Sequence, residues 1–477
     1  MQNTNLKYIY AIGSLFAVLQ ALAIGFEFFY FSLIPIVMLV LVLAFYKMDY
    51  LLLGIVFMAP VSVNLDDLGL EGAGLYLPTE PLLIGVMLLF IMKMLANQTI
   101  DKRIFTHPVS WCIYAYFLWI FITSFTSSQP LVSFKYLISR AWFVVSFFFI
   151  AIHLFKNIKN IDRYFWLYMF PLFFVMFYTL TRHAMEGFEH DPAHWVMTPF
   201  FNDHTSYGAA LAFTLPTFVG MLFTDKLKTT TKLLLVPALA IFVTALILSY
   251  TRAAWVSLIA AGVVGLFMYL RVKLSTLVIL TAIGGVFVFF TIEQVLMDLE
   301  RNKQDSSDSF SEHVESISNI SSDASNLERL NRWNAALRMF EERPIAGWGP
   351  GSYAFEYAPF QSSADKTIIT TDSGDAGNAH SEYLGPLAEM GFLGPLLYLL
   401  ILIMVTITAF RVVYALPNGH IKMLAITCYL GLFTYYIHGV LNNFLDTDKI
   451  SCVFWGFSAV LVALDLFHLP EKGDSSM

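Results

Sequence analysis

Apolar residues occur along most of this chain in blocks of about 20, the length at which a helix crosses a bilayer. The blocks centre on residues 8–24, 28–45, 50–63, 80–96, 109–125, 137–155, 164–180, 205–223, 233–250, 254–270 and 274–292. After a long polar interval they resume at 391–410, 421–440 and 450–467. The pattern predicts an all-α fold, a polytopic transmembrane helical bundle of about 12–14 spans. The block at 50–63 is short and ends near Pro60, and the connection at 250–254 is tight. The first block lacks a small-residue cleavage site and reads as a membrane helix, not a cleaved leader. Three parts follow: N-terminal membrane helices over 1–292, a long polar segment over 293–383, and C-terminal membrane helices over 384–470.

The polar segment is itself patterned. Residues 301–325 are rich in Ser and Asp and are expected to be mobile. Leu327, Leu330, Trp333, Leu337 and Phe340 fall at helical spacing, which predicts an amphipathic helix over 326–342. Arg343-Pro344 stops it, and Gly347-Trp348-Gly349-Pro350-Gly351 forces an irregular turn. A second polar stretch, 361–379, leads to His380 at the mouth of the next span.

Composition supports the membrane reading. The chain is 57% hydrophobic and 13% charged, with a mean hydropathy of +0.66, where a soluble domain carries about a quarter charged residues. A soluble fold so composed would expose large apolar patches. The net charge of −7 says little by itself, but no basic stripe or zinc-type spacing appears, so no nucleic-acid partner is expected. Cys112, Cys428 and Cys452 all lie in apolar runs and read as packing residues. With a cytoplasmic N-terminus, one set of loops holds Lys47, Lys93, Lys102, Arg103, Lys156, Lys159, Arg163, Lys226, Lys228, Lys232, Arg271, Lys273, Arg411 and Lys422. The opposite short loops hold Asp66, Asp67, Glu71, Glu80, Glu186, Glu189, Asp191, Asp446 and Asp448. The positive-inside bias therefore places both termini in the cytoplasm and the 293–383 segment outside.

Four groups at this outer face could carry chemistry. Arg252, in Ser249-Tyr250-Thr251-Arg252, sits between two apolar runs, where an arginine is costly and usually kept for a partner; the alternative is an interfacial anchor. Arg329 and Arg332 could bind an anion, or form a solvated helix face with Glu328–Arg332 as an i, i+4 pair. His380 could accept a proton near neutral pH or serve as a structural hydrogen-bonder, and Glu382 and Glu389 are competing bases. A fourth group, Arg182, His183, His190, His194 and His204, lacks tight ligand spacing, so no metal site is expected. Arginines beside one base suit transfer from a diphosphate-activated donor, because guanidinium forks bind phosphate and stabilise it as it departs.

Three stretches carry a resemblance: SYTRAAW over 249–255, NLERLNRWNAALRMFEERPIAGWGPGSY over 326–353, and NAHSEYLGPLAEMGFLG over 378–394. In this order, around a large outer loop with three later spans, they resemble the O-antigen ligase/polymerase superfamily. The resemblance covers about 235–410. It implies a GT-C-like helical glycosyltransferase of the bacterial inner membrane, acting on the periplasmic face. The donor would be an undecaprenyl-diphosphate-linked glycan and the acceptor a hydroxyl of lipid A-core or of a growing glycan, without cofactor or metal. By position, Arg252 and Arg329 would bind the diphosphate, with Arg332 a second candidate; Arg329 is favoured because it stands four before Trp333. His380 would be the base, with Glu382, Glu389 and His204 in supporting positions. Many members have Asn after the histidine where this chain has Ser381, which bears on how the base is oriented.

Ligation of finished O-antigen is the reading adopted, with polymerisation of repeat units as its alternative and protein glycosylation as a third choice of acceptor. A transporter of lipid or polysaccharide is the alternative of another class. It would call for an internal repeat and mid-membrane charges, whereas no repeat is evident and the polar groups crowd at one face.

Overall fold

The computed structural model describes residues 2–28, 31–32, 34–65, 74–96, 100–276, 279, 324–362 and 377–470. Two compact units, residues 1–54 and 55–477, divide the chain. The first carries α1 (Gln2–Gly25), α2 (Ile34–Tyr46) and the start of α3 (Met48–Met58).

In the second unit a two-stranded antiparallel pair, β1 (Val63–Asn64) and β2 (Tyr76–Leu77), precedes α4 (Thr79–Leu95). Next come α5 (Lys102–Thr106), α6 (Pro108–Phe125) and α7 (Pro130–Val144), which runs through a π-helical stretch at Val145–Ile150 into α8 (Ala151–Leu154). The series α9 (Lys159–Met185), α10 (His204–Phe223), α11 (Thr229–Ile247) and α12 (Arg252–Tyr269) follows. After α13 (Ala324–Glu342) and α14 (Tyr353–Glu356) of the polar segment comes the short α15 (Leu384–Met390), and then α16 (Leu393–Ala415), α17 (His420–Leu441) and α18 (Asp448–Phe467).

The fold is the all-α polytopic bundle expected. Among the described residues, nine helices are long and apolar enough to cross a membrane. The expected blocks at 8–24, 28–45, 50–63 and 80–96 are helical but fall outside those nine, and nearly all of 274–292 lies outside the described residues, as does 301–323. The tight connection before Arg252 is a turn in which Tyr250 takes a left-handed φ of 49°, so α11 and α12 are separate helices.

Small residues let the central helices approach closely, as in membrane bundles generally. A Cβ added to Gly208 of α10 would lie 2.5 Å from Oγ1 of Thr251, just before α12. Polar connections gather at two ends. At one, Tyr76 donates to Asn202 Oδ1 (2.9 Å), Ser128 N to Trp348 O (2.9 Å), and Lys449 Nζ to Ser62 O (3.1 Å). At the other, Asp465 meets Arg411 (2.5 Å) and His107 (3.1 Å), while Asp162 meets His420 (2.8 Å) and Lys226.

Candidate active site

The helix expected over 326–342 is α13, but it buries Glu328, Asn331, Arg332, Ala335, Ala336 and Met339, whereas Leu337 of the expected apolar stripe is exposed and Leu330, Trp333 and Phe340 are half-buried. Its end is fixed by the glycine-rich turn. The Trp348 indole donates to Met339 O (3.1 Å), and the Arg343 guanidinium lies 3.8 Å from the centre of the same ring. The turn then pairs with α15 through its backbone: Trp348 N donates to Ala388 O (3.1 Å) and Gly349 N to Glu389 O (2.7 Å). Gly347 has a φ of +67°, and a Cβ there would sit 2.3 Å from the Glu389 carbonyl carbon. Only glycine fits.

His380 lies in the short connection between Gly377 and α15. Its backbone N–H donates to Asn378 Oδ1 (3.0 Å), and its φ of 45° is left-handed. The Ser381 hydroxyl accepts from the N–H groups of Tyr383 and Leu384 (3.3 Å each), capping the first turn of α15.

Arg332 grips the same connection from α13. It donates to Glu328 Oε1 (2.8 Å) and to Asn378 O (3.2 Å), with its guanidinium 5.5 Å from the centre of the Tyr357 ring. Both side chains of the ion pair are below a tenth exposed. This corrects the solvated-face reading of Glu328–Arg332. The pairing is as expected, but Tyr357 and residues 377–378 cover it.

Arg329, one turn from Arg332 on its N-terminal side, lies close enough to His204, His380 and His438 for its charge to act on all three. Burial lowers the His380 pKa to about 4, the Arg329 and Arg332 charges add to the effect, and Asp203 and Glu328 oppose it. The imidazole is therefore neutral at any ordinary pH, with a lone pair available. Arg252 opens α12, half-buried, next to Thr251, whose hydroxyl donates to His204 O (2.7 Å). His204 packs edge-on against His194 (4.3 Å between centroids), and His194 against His190 (5.0 Å).

The two glutamates are anchors. Glu382 Oε1 accepts from Tyr435 OH (2.6 Å), Phe444 N (2.9 Å) and Leu445 N (2.9 Å), binding the His380 connection to the one between α17 and α18. Burial pushes its carboxyl up. Glu389 accepts from Tyr353 N (3.1 Å), and burial raises its carboxyl to about 7 against the pull of N–H groups at Gly351 and Tyr353.

A cavity of about 500 Å³ opens beside these groups, walled by Tyr76, Arg140, Trp142, Asn378, Glu389 and Lys449 among others. His380, Arg252, Arg329, Arg332 and His204 are not among its walls, whereas Glu382 and Glu389 are. Sequence reasoning missed Arg140, although it lies within the apolar block at 137–155 and the argument that singled out Arg252 applies to it equally. Lys449, at the start of α18, was missed for want of a sequence signal that its amine meets Ser62 Oγ (2.6 Å), 387 residues away.

Residues 237–399 match the family model described as O-antigen ligase. The match takes in Arg252, Arg329, Arg332, His380, Glu382 and Glu389 and leaves out His204. No curated protein matches the chain.

Proposed function

We propose that this chain, which belongs to the O-antigen ligase superfamily through residues 237–399, is a membrane glycosyltransferase. It moves a glycan from undecaprenyl diphosphate to an acceptor hydroxyl, with lipid A-core as the acceptor. In this reading the protein sits in the bacterial inner membrane with both termini cytoplasmic. The 293–383 segment, between membrane domains at 1–292 and 384–470, faces the periplasm.

The supporting observation is that Arg252, Arg329 and His380 all fall inside the family-matched segment, with the connection that carries His380 held by Arg332 through Asn378 O. The imidazole takes the proton of the acceptor hydroxyl as its oxygen attacks the anomeric carbon. The carbon–oxygen bond to the diphosphate breaks, and undecaprenyl diphosphate leaves with the electron pair. In this reading Arg329 and Arg252 stabilise the charge that builds on that leaving group. Attack opposite the departing diphosphate inverts the anomeric centre, with no metal required. Arg332, held by Glu328 and Asn378 O, positions the base more than it binds the donor.

Polymerisation of repeat units would use the same carrier, base and arginines. Deleting the gene separates the two: lipid A-core without any polymer marks a ligase, and a single capped repeat marks a polymerase. The glycosyltransferase reading is tested by His380→Ala and Arg252→Ala. Both proteins, inserted at normal levels, should abolish glycan transfer in cells; full transfer by either would leave a transporter as the better reading.

A further inference from the structure

The chemistry assigned to His380, Arg252 and Arg329 leaves Arg140 without a role. This arginine lies near the middle of Pro130–Leu154, a helical stretch long and apolar enough to cross a membrane, and is over nine-tenths buried. A charge so placed is costly and is usually kept for a partner within the protein. Its Nε is shielded from water, and its guanidinium carbon lies 4.9 Å from the centre of the Tyr136 ring. The group therefore acts inside the protein and not on a ligand.

Three acids feel that charge. Burial pushes the carboxyls of Glu382, Glu389 and Asp446 up, and Arg140 opposes the effect on each. Geometry singles out Glu382. It shares with Arg140 the walls of the cavity of about 500 Å³ and of a second cavity of about 10 Å³, where Tyr116, Tyr398, Leu445 and Trp455 join them. Neither Glu389 nor Asp446 borders the second.

Glu382 stands two residues after His380. Its Oε1 accepts from Tyr435 OH, Phe444 N and Leu445 N, and its own N–H donates to Gly439 O (2.8 Å). An ionised acceptor forms stronger hydrogen bonds than a neutral one. Burial disfavours the ionised form, whereas a nearby positive charge favours it. The grip of this one carboxylate on the connection between α17 and α18 thus depends on a charge supplied by α7.

We propose that Arg140 is a positioning residue: as the buried counter-charge of Glu382, it keeps that carboxylate gripping the α17–α18 connection and so holds His380 in place. The proposal rests on the glycosyltransferase reading for the role of His380, while the coupling of Arg140 to Glu382 stands apart from it.

The test is a double-mutant cycle on the full chain in nanodiscs. Its readouts are kcat for transfer, affinity for undecaprenyl diphosphate and the midpoint of thermal unfolding. Arg140→Gln should lower kcat about ten-fold or more, as misplacement of a reacting group does, and leave diphosphate affinity unchanged. Arg140→Lys keeps the charge and should recover most of the loss. Glu382→Gln removes the other charge with little change of shape, and in that background Arg140→Gln should lower kcat by less than about two-fold more. The double variant should also unfold at a midpoint above that of the less stable single variant, because neither buried charge is left alone. Losses in kcat that multiply, a fall in diphosphate affinity with kcat intact, or a Lys variant as poor as the Gln variant would overturn the proposal. So would single and double variants that insert equally poorly. Failure of the enzyme reading would look different: full transfer by His380→Ala, with the coupling in unfolding midpoints still present.

Discussion

Replacing Arg329 by glutamine removes one of the two guanidinium charges that act on His380, so the acid limb of the reaction should move. His380 titrates at about 4 against an ordinary value of 6.5, with burial the largest cause and Arg329 the next. Arg329→Gln leaves the burial in place, so the imidazole should recover only part of the difference. The removed repulsion should raise His380 above about 4, while the remaining burial and Arg332 keep it below 6.5. The reacting form is the neutral imidazole, present above its pKa and lost as pH falls through it. In steady-state transfer measured in nanodiscs, kcat/KM should thus fall to half near pH 4 in the unmodified protein and at a higher pH in Arg329→Gln. A bound diphosphate opposes the same arginines, so the limb in kcat should lie at higher pH than the limb in kcat/KM. An acid limb that stays at about pH 4 in Arg329→Gln, or a kcat limb below that of kcat/KM, would refute His380 as a base tuned by Arg329.

Three further outcomes follow from the packing around the site. Glu328→Ala leaves Arg332 buried without its carboxylate and should cost about 3–5 kcal/mol, read as a lower midpoint in thermal unfolding. Gly347→Ala forces a Cβ to within 2.3 Å of the Glu389 carbonyl carbon at a φ of +67°. It should destabilise the loop by about 3 kcal/mol or more, detected as rapid proteolysis between α13 and α15. Ser381→Ala removes the cap of α15 and should cost about 1 kcal/mol, whereas Ser381→Asn should keep both the unfolding midpoint and the transfer rate.

The spans were legible because burial in a bilayer imposes long apolar runs, and α13 was legible as a helix although the apolar spacing that named it is not its buried face. The motif residues were legible for a different reason: arginine, histidine and glycine at those spacings carry a family resemblance, now matched over 237–399. Tertiary cover was not legible. Helical spacing named Glu328 and Arg332 as partners, but residues 25 to 46 positions after Arg332 decide that the pair is buried. The cavity escaped entirely because its walls come from separate stretches between Gly74 and Ile450, none of which is a motif by itself. Glu382 and Glu389 read as bases from composition alone; the N–H groups that occupy them lie 63 and 36 residues away.

A histidine held at a φ of 45° costs on the order of 1 kcal/mol or more and persists only where the surroundings determine it. Here the surroundings do so from both sides. Arg332 holds the carbonyl of Asn378, two residues before His380, and Glu382, two residues after it, is held by Tyr435, Phe444 and Leu445. The first clip belongs to the polar segment and the second to the membrane helices, so His380 is placed only when the segment is seated on the bundle. The Arg329 charge reaches His380, and the 500 Å³ cavity has Asn378 and Ser381 in its wall. Glu382→Ala should therefore lower kcat while leaving undecaprenyl-diphosphate affinity unchanged, since it frees the base without touching Arg329. A fall in diphosphate affinity with kcat intact would mean that the second clip serves the donor and not His380.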